Sequence, residues 1–355
     1  GWTVQVTGAS GFLGSHVVLQ LLEKGYRVRA AARGPKADRI KSTYTAYGDR
    51  FEAVKIADIS HDRFPEALVG VDAVIHLASP LAGRAEPAAL LAAAVEGTLN
   101  VIVQAEKAGV RRMVVTSSIA TVKNPDASYT DQGVKGCKSR VPAADWNPVT
   151  REIALTTDNE MITYSASKKF AEVALWEWAD KHPHVEVTTL NPPFFYGPFT
   201  SDFPLPTPDF GALSTDVILY NFLFPDGAFP SSTPYIDVRD VAQAHIRALN
   251  APPTAEVGRK RIIFASPSGW PFRKTVDFIA SQRPGLKHRL ITAKPVEYPF
   301  DVLPMDFGRV EQVLGIKVAD FHTTEQTVLD TIDALVKVEE QWQSAGHVIP
   351  TPPTY

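Results

Sequence analysis

"VTGASGFLGSHVV" occupies residues 6–18, and its reading decides how the rest of the chain is understood. Gly8, Gly11 and Gly14 stand three apart, directly after the apolar run "WTVQVT" (2–7) and directly before a helical pattern. Two readings compete. Three glycines let a strand turn sharply into a helix for packing reasons alone. They also let backbone approach a group that a side chain would exclude, such as a pyrophosphate, at a helix N-terminus with unpaired, partly positive N–H groups. A glycine triplet alone is weak evidence. Set between a strand and a helix at the start of a βαβ unit, it predicts dinucleotide binding: Gly8 for the turn, Gly11 for close approach, Gly14 for packing of helix on strand.

Working outward, strand-like runs follow at 26–32, 51–56, 72–78, 112–118 and 185–191. Amphipathic stretches at 11–24, 36–47, 62–69, 86–108 and 160–182 separate them. Near-continuous apolar strands alternating with helices predict an α/β fold, a doubly wound parallel sheet covered on both faces. Beyond residue 192 the texture changes, within the proline- and aromatic-rich "NPPFFYGPFTSDFPLPTPDF" (191–210). Helical patterns return at 209–223, 238–250, 271–282, 305–315 and 323–344, with a strand-like run at 259–266. We therefore expect a Rossmann-type dinucleotide domain over 1–191, on which 238–250 packs back. A smaller mixed lobe over 192–355 is expected to bind substrate.

Composition narrows the function. The chain has 355 residues, 45% of them hydrophobic, and a net charge of −3, which does not suit a polyanion partner. One cysteine, Cys137, excludes an internal disulfide and fits a reducing compartment. No run of about 18 apolar residues and no signal-peptide pattern is visible, so a cytoplasmic protein without membrane or nucleic-acid partners is expected. The first residue is Gly1 rather than methionine, which suggests that a few native residues precede it. Nine histidines are present, but no HExxH or cysteine-rich spacing, so no metal is expected.

The end of the second strand discriminates between dinucleotides. A carboxylate there would bind the ribose 2′-OH of NAD, and a basic group the 2′-phosphate of NADP. In "RVRAAARGPKADR" (27–39), Arg33 stands at the strand exit, Lys36 follows, and no acid appears before Asp38. This favours NADP(H), although an exposed arginine in a loop needs no function. Asp58, after the third strand in "KIADIS", suits the adenine amino group or simply caps a turn.

"YSASK" (164–168) puts Tyr164 and Lys168 four apart, on one face of a helix. A neighbouring ammonium, together with an oxidised nicotinamide, would draw the phenol below its ordinary pKa of about 10 and ready it for proton exchange. The pair alone is weak. It gains weight from "MVVTSSIATV" (113–122), in which Thr116, Ser117 and Ser118 end a strand at the edge where parallel sheets bind ligands.

In this order "TGASGFLG", "DISH", "HLASP", "TSSIATV", "YSASK" and "YIDVRDVAQAH" resemble the extended short-chain dehydrogenase/reductases. Within them the chain looks most like the branch of dihydroflavonol reductases, cinnamoyl-CoA reductases and fungal aldehyde and carbonyl reductases. The resemblance implies that Ser10, Phe12 and Leu13 contact phosphate through backbone beside the three glycines. It implies Arg33 at the 2′-phosphate, Asp58 and Ile59 at adenine, and Leu77, Ala78 and Ser79 along the ribose. Pro192 and Phe194 would lie by the nicotinamide. Ser118 matches the catalytic serine, Tyr164 the acid and Lys168 its partner, reducing an aldehyde or ketone with NADPH. Lys123 replaces the asparagine that dihydroflavonol reductases carry there, which argues against flavonoid reduction. The segment 123–160 and the aromatics Phe195, Tyr196, Phe199, Phe203, Phe210, Tyr220 and Phe222 suggest an apolar substrate pocket, with core packing an equal reading for most of the aromatics and only two or three expected to touch substrate. Of these, Phe195 and Tyr220, with Lys123, are the expected substrate contacts. Trp176 and Trp178 suit a subunit interface, leaving a monomer or a homodimer. An NAD-dependent sugar-nucleotide epimerase or dehydratase and a non-catalytic dinucleotide sensor are the competing readings.

Overall fold

In the computed structural model, residues 1–78, 86–123, 125, 146–230, 234–269, 272–295 and 305–354 are described. The apolar runs form one all-parallel sheet. Its strands are β1 (Thr3–Thr7), β2 (Arg27–Ala32), β3 (Phe51–Lys55), β4 (Ala73–His76), β5 (Arg112–Thr116), β6 (Glu186–Asn191) and β9 (Lys260–Ile263). They lie in the order β3-β2-β1-β4-β5-β6-β9. Strand order therefore reverses between β1 and β4, where Val6 stands opposite Ile75 and Thr7 opposite His76. A crevice opens at such a reversal, beyond the carboxyl ends of the strands. Two further strands, β7 (Phe194–Tyr196) and β8 (Tyr235–Asp237), pair by themselves. At three residues each they are too short for an alternation pattern to reveal.

Helices α1 (Phe12–Glu23), α2 (Pro35–Thr43) and α3 (Pro87–Lys107) follow β1, β2 and β4. By length and composition α3 would pass for a membrane span. Its Val101, Ile102 and Ala105 instead pack in a core cluster with Val74, Met113, Val115 and Leu175. The amphipathic stretch at 62–69 makes only a 3-10 turn, Pro65–Leu68, because the turn at Gly70 (φ 70°) leaves no length to propagate a helix. The short α4 (Arg151–Thr156) was not expected. It precedes α5 (Glu160–Asp180), whose N-cap Asn159 accepts from the Met161 N–H at 2.9 Å.

C-terminally come α6 (Asp216–Tyr220), α7 (Val238–Ala248), α8 (Thr254–Val257), α9 (Phe272–Gln282), α10 (Phe307–Leu314) and α11 (Thr324–Ser344). The helix expected over 209–223 shrinks to α6 and a 3-10 turn, since Ser214 sits at φ 54°, outside helical space. Two compact units result: Gly1–Pro192 with Ala242–Phe264 and Pro304–Lys317, and Pro193–Val241 with Ala265–Leu303 and Val318–Tyr355. The second has its own core, in which Tyr220, Phe222, Leu335 and Trp342 are buried. In that core the Trp342 indole N–H donates to the Leu205 carbonyl at 2.7 Å.

Candidate active site

The three glycines differ in what the fold asks of them. Gly8 has φ 69°, and a Cβ there would lie 2.9 Å from the Ala78 nitrogen. At Gly14 a Cβ would fall 2.2 Å from the Gly8 carbonyl oxygen, so helix and turn could not close. Both are required by packing. Gly11 is not: its φ is −83°, and a Cβ would meet nothing nearer than the Gly8 oxygen at 3.4 Å. Gly11 is exposed and is the N-cap of α1, with no side chain capping the first turn. A bare helix N-terminus behind an exposed glycine fits a pyrophosphate. Phe12 and Leu13 bury their side chains, so only their backbone faces outward, and Ser10 is half-buried beside them.

At the exit of β2, Arg33 and Lys36 are exposed and form no ion pair among the described residues. The nearest acid in sequence, Asp38, is bound to Lys55 at 2.8 Å. Two unpaired cations and a neutralised carboxylate suit a 2′-phosphate better than a ribose hydroxyl. Asp58 accepts from the Ser60 N–H (2.9 Å) and lies 2.7 Å from His61 Nδ1, so it ties its own turn as well as standing after β3 beside Ile59. These partners hold its carboxyl below the ordinary value, His61 foremost.

Thr7 joins β1 to β4. Its hydroxyl accepts from the Leu77 and Ala78 N–H groups (3.2 and 3.3 Å) and lies 2.7 Å from His76 Nδ1. Ser79 lies outside the described residues. His76 is buried, and desolvation first, with Lys168 second, pulls its imidazole down to about 4.

Beyond β5, Ser118 is the N-cap of a 3-10 turn, and its hydroxyl accepts from the Ala120 N–H at 3.1 Å. Among the groups around it, this hydroxyl is the one that draws the Tyr164 phenol on α5 downward, against the effect of burial. Lys168, one helical turn along, is buried, and desolvation draws its ammonium down to about 8 while Glu172 opposes the fall. Burial foremost raises the phenol above its ordinary value, and Ser118 pulls against it; the acidification expected above draws on an oxidised nicotinamide as well as on Lys168. The loss of solvation at this site outweighs whatever the ammonium contributes. Pro192 stands next to the serine turn, its carbonyl accepting from the Ile119 N–H at 3.0 Å.

The substrate residues fare differently. Tyr220 is corrected from contact to core: it is 1% exposed and its hydroxyl donates to Glu339 at 2.5 Å. Tyr196 and Phe222 are buried in the same cluster, and Phe199, Phe203 and Phe210 pack on it. Phe194 and Phe195 are half-buried in β7. Lys123 is half-buried, its N–H donating to the Ile119 carbonyl at 3.1 Å. Of the segment 123–160, residues 124 and 126–145, with Cys137, lie outside the described residues. Trp176 is likewise core, donating to Glu172 at 3.0 Å, rather than part of a subunit surface. A roomy cavity of about 520 Å³ lies in the second unit, but it holds none of these groups, and its Arg289 is closed by Glu339. A small one of about 20 Å³ lies behind Lys168, against His76, Thr98, Ser117 and Glu172.

Sequence reasoning missed Thr7, Asn191, Glu172 and Arg261. Glu172 had a signal, standing four residues after Lys168 on the same helical face. Arg261 had none, since it reaches Glu172 across 89 positions.

Set beside known proteins, residues 4–263 match the NAD dependent epimerase/dehydratase family. The chain is 34% identical over 359 residues to an uncharacterised oxidoreductase of Schizosaccharomyces pombe, spanning 97% of this chain and 99% of that one. It is 29% identical over 363 residues to an NADPH-dependent methylglyoxal reductase of Saccharomyces cerevisiae, spanning 95% and 99%. The crystal structure of yeast methylglyoxal/isovaleraldehyde reductase complexed with NADPH is similar at a TM-score of 0.79 and 27% identity, spanning 96% and 99%.

Proposed function

The chain belongs to the NAD dependent epimerase/dehydratase family, and on that premise we propose that it is an NADPH-dependent oxidoreductase that reduces an aldehyde or ketone carbonyl, with Tyr164 as proton donor. The observation that carries this reading is the convergence of Ser118, Tyr164 and Lys168: the Ser118 hydroxyl acts on the phenol, and Lys168 lies one turn further along α5. The Gly8–Gly14 turn and the uncapped start of α1 would hold the pyrophosphate, Arg33 and Lys36 the 2′-phosphate, and Asp58 and Ile59 the adenine. When bound, NADPH supplies the hydride.

The protein's own groups then have distinct tasks. Burial keeps the Tyr164 phenol protonated at neutral pH, which is the state a proton donor needs. As negative charge develops on the carbonyl oxygen, Tyr164 delivers its proton there and the Ser118 hydroxyl donates to the same oxygen. Lys168 then stabilises the phenolate left behind, provided that its ammonium stays charged. Its depressed value predicts that kcat/KM falls as the pH rises through about 8.

Nicotinamide absorbance, followed with a panel of aldehydes, ketones and nucleotide sugars and with either NADPH or NADH, tests the reading. Tyr164→Phe should lower kcat by about 10²- to 10⁴-fold, the range of general acid catalysis. Arg33→Ala should raise KM for NADPH by about 10- to 100-fold, the worth of one charge-assisted hydrogen bond, while leaving NADH unaffected. Full turnover by Tyr164→Phe would remove the assigned acid.

A further inference from the structure

We infer that Glu172 and Arg261 are a positioning pair for this site, one buried contact that sets the place of the Ser118 carbonyl and the surroundings of Lys168 together. The inference rests on the reductase reading above and adds two residues to it. Glu172 and Arg261 have side chains only 2% and 1% exposed. The carboxylate gathers five donors. Oε1 accepts from Arg261 Nε (2.6 Å), Trp176 Nε1 (3.0 Å) and Thr189 Oγ1 (3.2 Å). Oε2 accepts from Ser117 Oγ (2.6 Å) and Asn191 Nδ2 (2.7 Å).

From this centre two arms reach the catalytic groups. Arg261 Nη2 donates to Thr121 Oγ1 at 2.9 Å, and Thr121 Oγ1 donates in turn to the Ser118 carbonyl at 2.9 Å. Asn191 Nδ2 reaches the same carbonyl (3.3 Å) and the same threonine (3.0 Å). The guanidinium is held flat, its carbon 3.9 Å from the centre of the Trp146 ring. The other arm is short: Glu172 stands one turn after Lys168 on α5, and both line the small cavity with His76 from β4 and Ser117 just after β5. Around Lys168, Glu172 favours the ammonium, whereas Lys168 itself disfavours a charged His76.

Stability alone does not account for such a pair. Apolar residues of the same volume serve as well or better in a core, whereas a buried ion pair whose carboxylate is met on both oxygens favours one geometry; in this network only Asn191 Oδ1 lacks a partner among the described residues. Here that geometry belongs to the serine turn and the catalytic lysine.

The test compares Glu172→Gln, Thr121→Val and Tyr164→Phe in the full chain, with isovaleraldehyde and NADPH as probes and kcat, KM and the pH profile as readouts. Thr121→Val keeps the side-chain shape but removes the hydroxyl that bridges to Ser118, and with it the acceptor of Arg261 Nη2 and Asn191 Nδ2. It should lower kcat by roughly 10- to 100-fold, as misplacement of a reacting group does, with KM for NADPH moved less than about 3-fold. Glu172→Gln should lower kcat similarly and move the high-pH fall of activity to lower pH, because Lys168 loses its neighbouring negative charge. A merely structural role would leave that limb in place. Should Glu172→Gln fail to fold, the kcat and KM of Thr121→Val decide the matter. Tyr164→Phe inactive with Thr121→Val at wild-type kcat, or with Glu172→Gln keeping the wild-type pH limb, overturns the pair alone. Tyr164→Phe at wild-type turnover overturns the pair and the reductase reading together.

Discussion

Each unit buries a carboxylate network, and the two are finished differently. In the first, both oxygens of Glu172 are met by donors and its cation is Arg261. In the second, Asp216, Asp237 and Asp240 are all buried, with Arg239 and His322 as the cations. Asp237 takes Arg239 and the Thr327 hydroxyl, and Asp240 takes the N–H and ring of His322. Asp216 has the Gly197 N–H on Oδ1 at 3.3 Å, and its Oδ2 has no hydrogen-bond partner among the described residues. That approach needs glycine, since a Cβ at 197 would lie 2.6 Å from Val238 Cγ1. The first network also leaves an atom unmet, but it is the neutral Asn191 Oδ1, while its carboxylate is satisfied on both oxygens and carries geometry. An open carboxylate is a group whose protonation responds to pH.

The difference also sets the sign of the pH response. Burial raises Asp216 well above the carboxylate range, and burial likewise raises Asp240. Asp240 in turn raises His322. For each of these the folded state binds the proton more tightly, so stability falls as pH rises from the unfolded value through the folded one. His76 in the first unit is the reverse. With its value drawn down to about 4, the unfolded chain binds more protons between there and 6.5, and stability rises with pH over that window.

The largest test of this contrast is removal of one cation from each network. Arg261→Met should cost about 3–5 kcal/mol in urea unfolding, because it strands a buried carboxylate. Arg239→Met should cost only about 1–3 kcal/mol, its side chain being 23% exposed and water able to replace it. Equal losses would erase the distinction. Changing both Glu172 and Arg261 to apolar residues should recover most of the single-variant loss, by the same measurement.

A smaller effect should appear at Asp216. Asp216→Asn keeps the acceptor for Gly197 and abolishes the ionisation. Relative to the parent, it should gain about 1–3 kcal/mol at alkaline pH compared with acid pH, the scale of an unsatisfied buried group. A constant difference across the pH range would show that Asp216 does not titrate there. The smallest shift is expected from His322→Gln. The parent's contact with Asp240 is fully present below pH 6.5 and fades as pH rises through the raised value of His322. The variant should therefore be weaker than the parent by less than about 1 kcal/mol in acid and converge with it in alkali.

Much of the fold was legible because its signals are local. The strand runs are five or six residues long and rich in apolar or β-branched side chains, and the dinucleotide turn is written within Gly8–Gly14. Ser118 closes one such run, and Tyr164 and Lys168 share a helical face at a spacing of four. What failed was also local in character. The stretch at 62–69 has the right periodicity but lacks the length for a helix, and β7 and β8 are too short to show any period. Tyr220 was misread because an aromatic in a proline-rich stretch looks the same whether it lines a pocket or fills a core.

The amino-acid order by itself determined the alternation of strands and helices, the anion-binding turn, the basic exit of β2 and the serine, tyrosine and lysine. Each is encoded within one turn or one element. Only the tertiary structure decided that Arg261 closes on Glu172, that Tyr220 is spent on Glu339, and that burial raises the Tyr164 phenol. Desolvation and long-range partners depend on which surfaces meet, and periodicity assigns a residue to a face without saying what that face will touch.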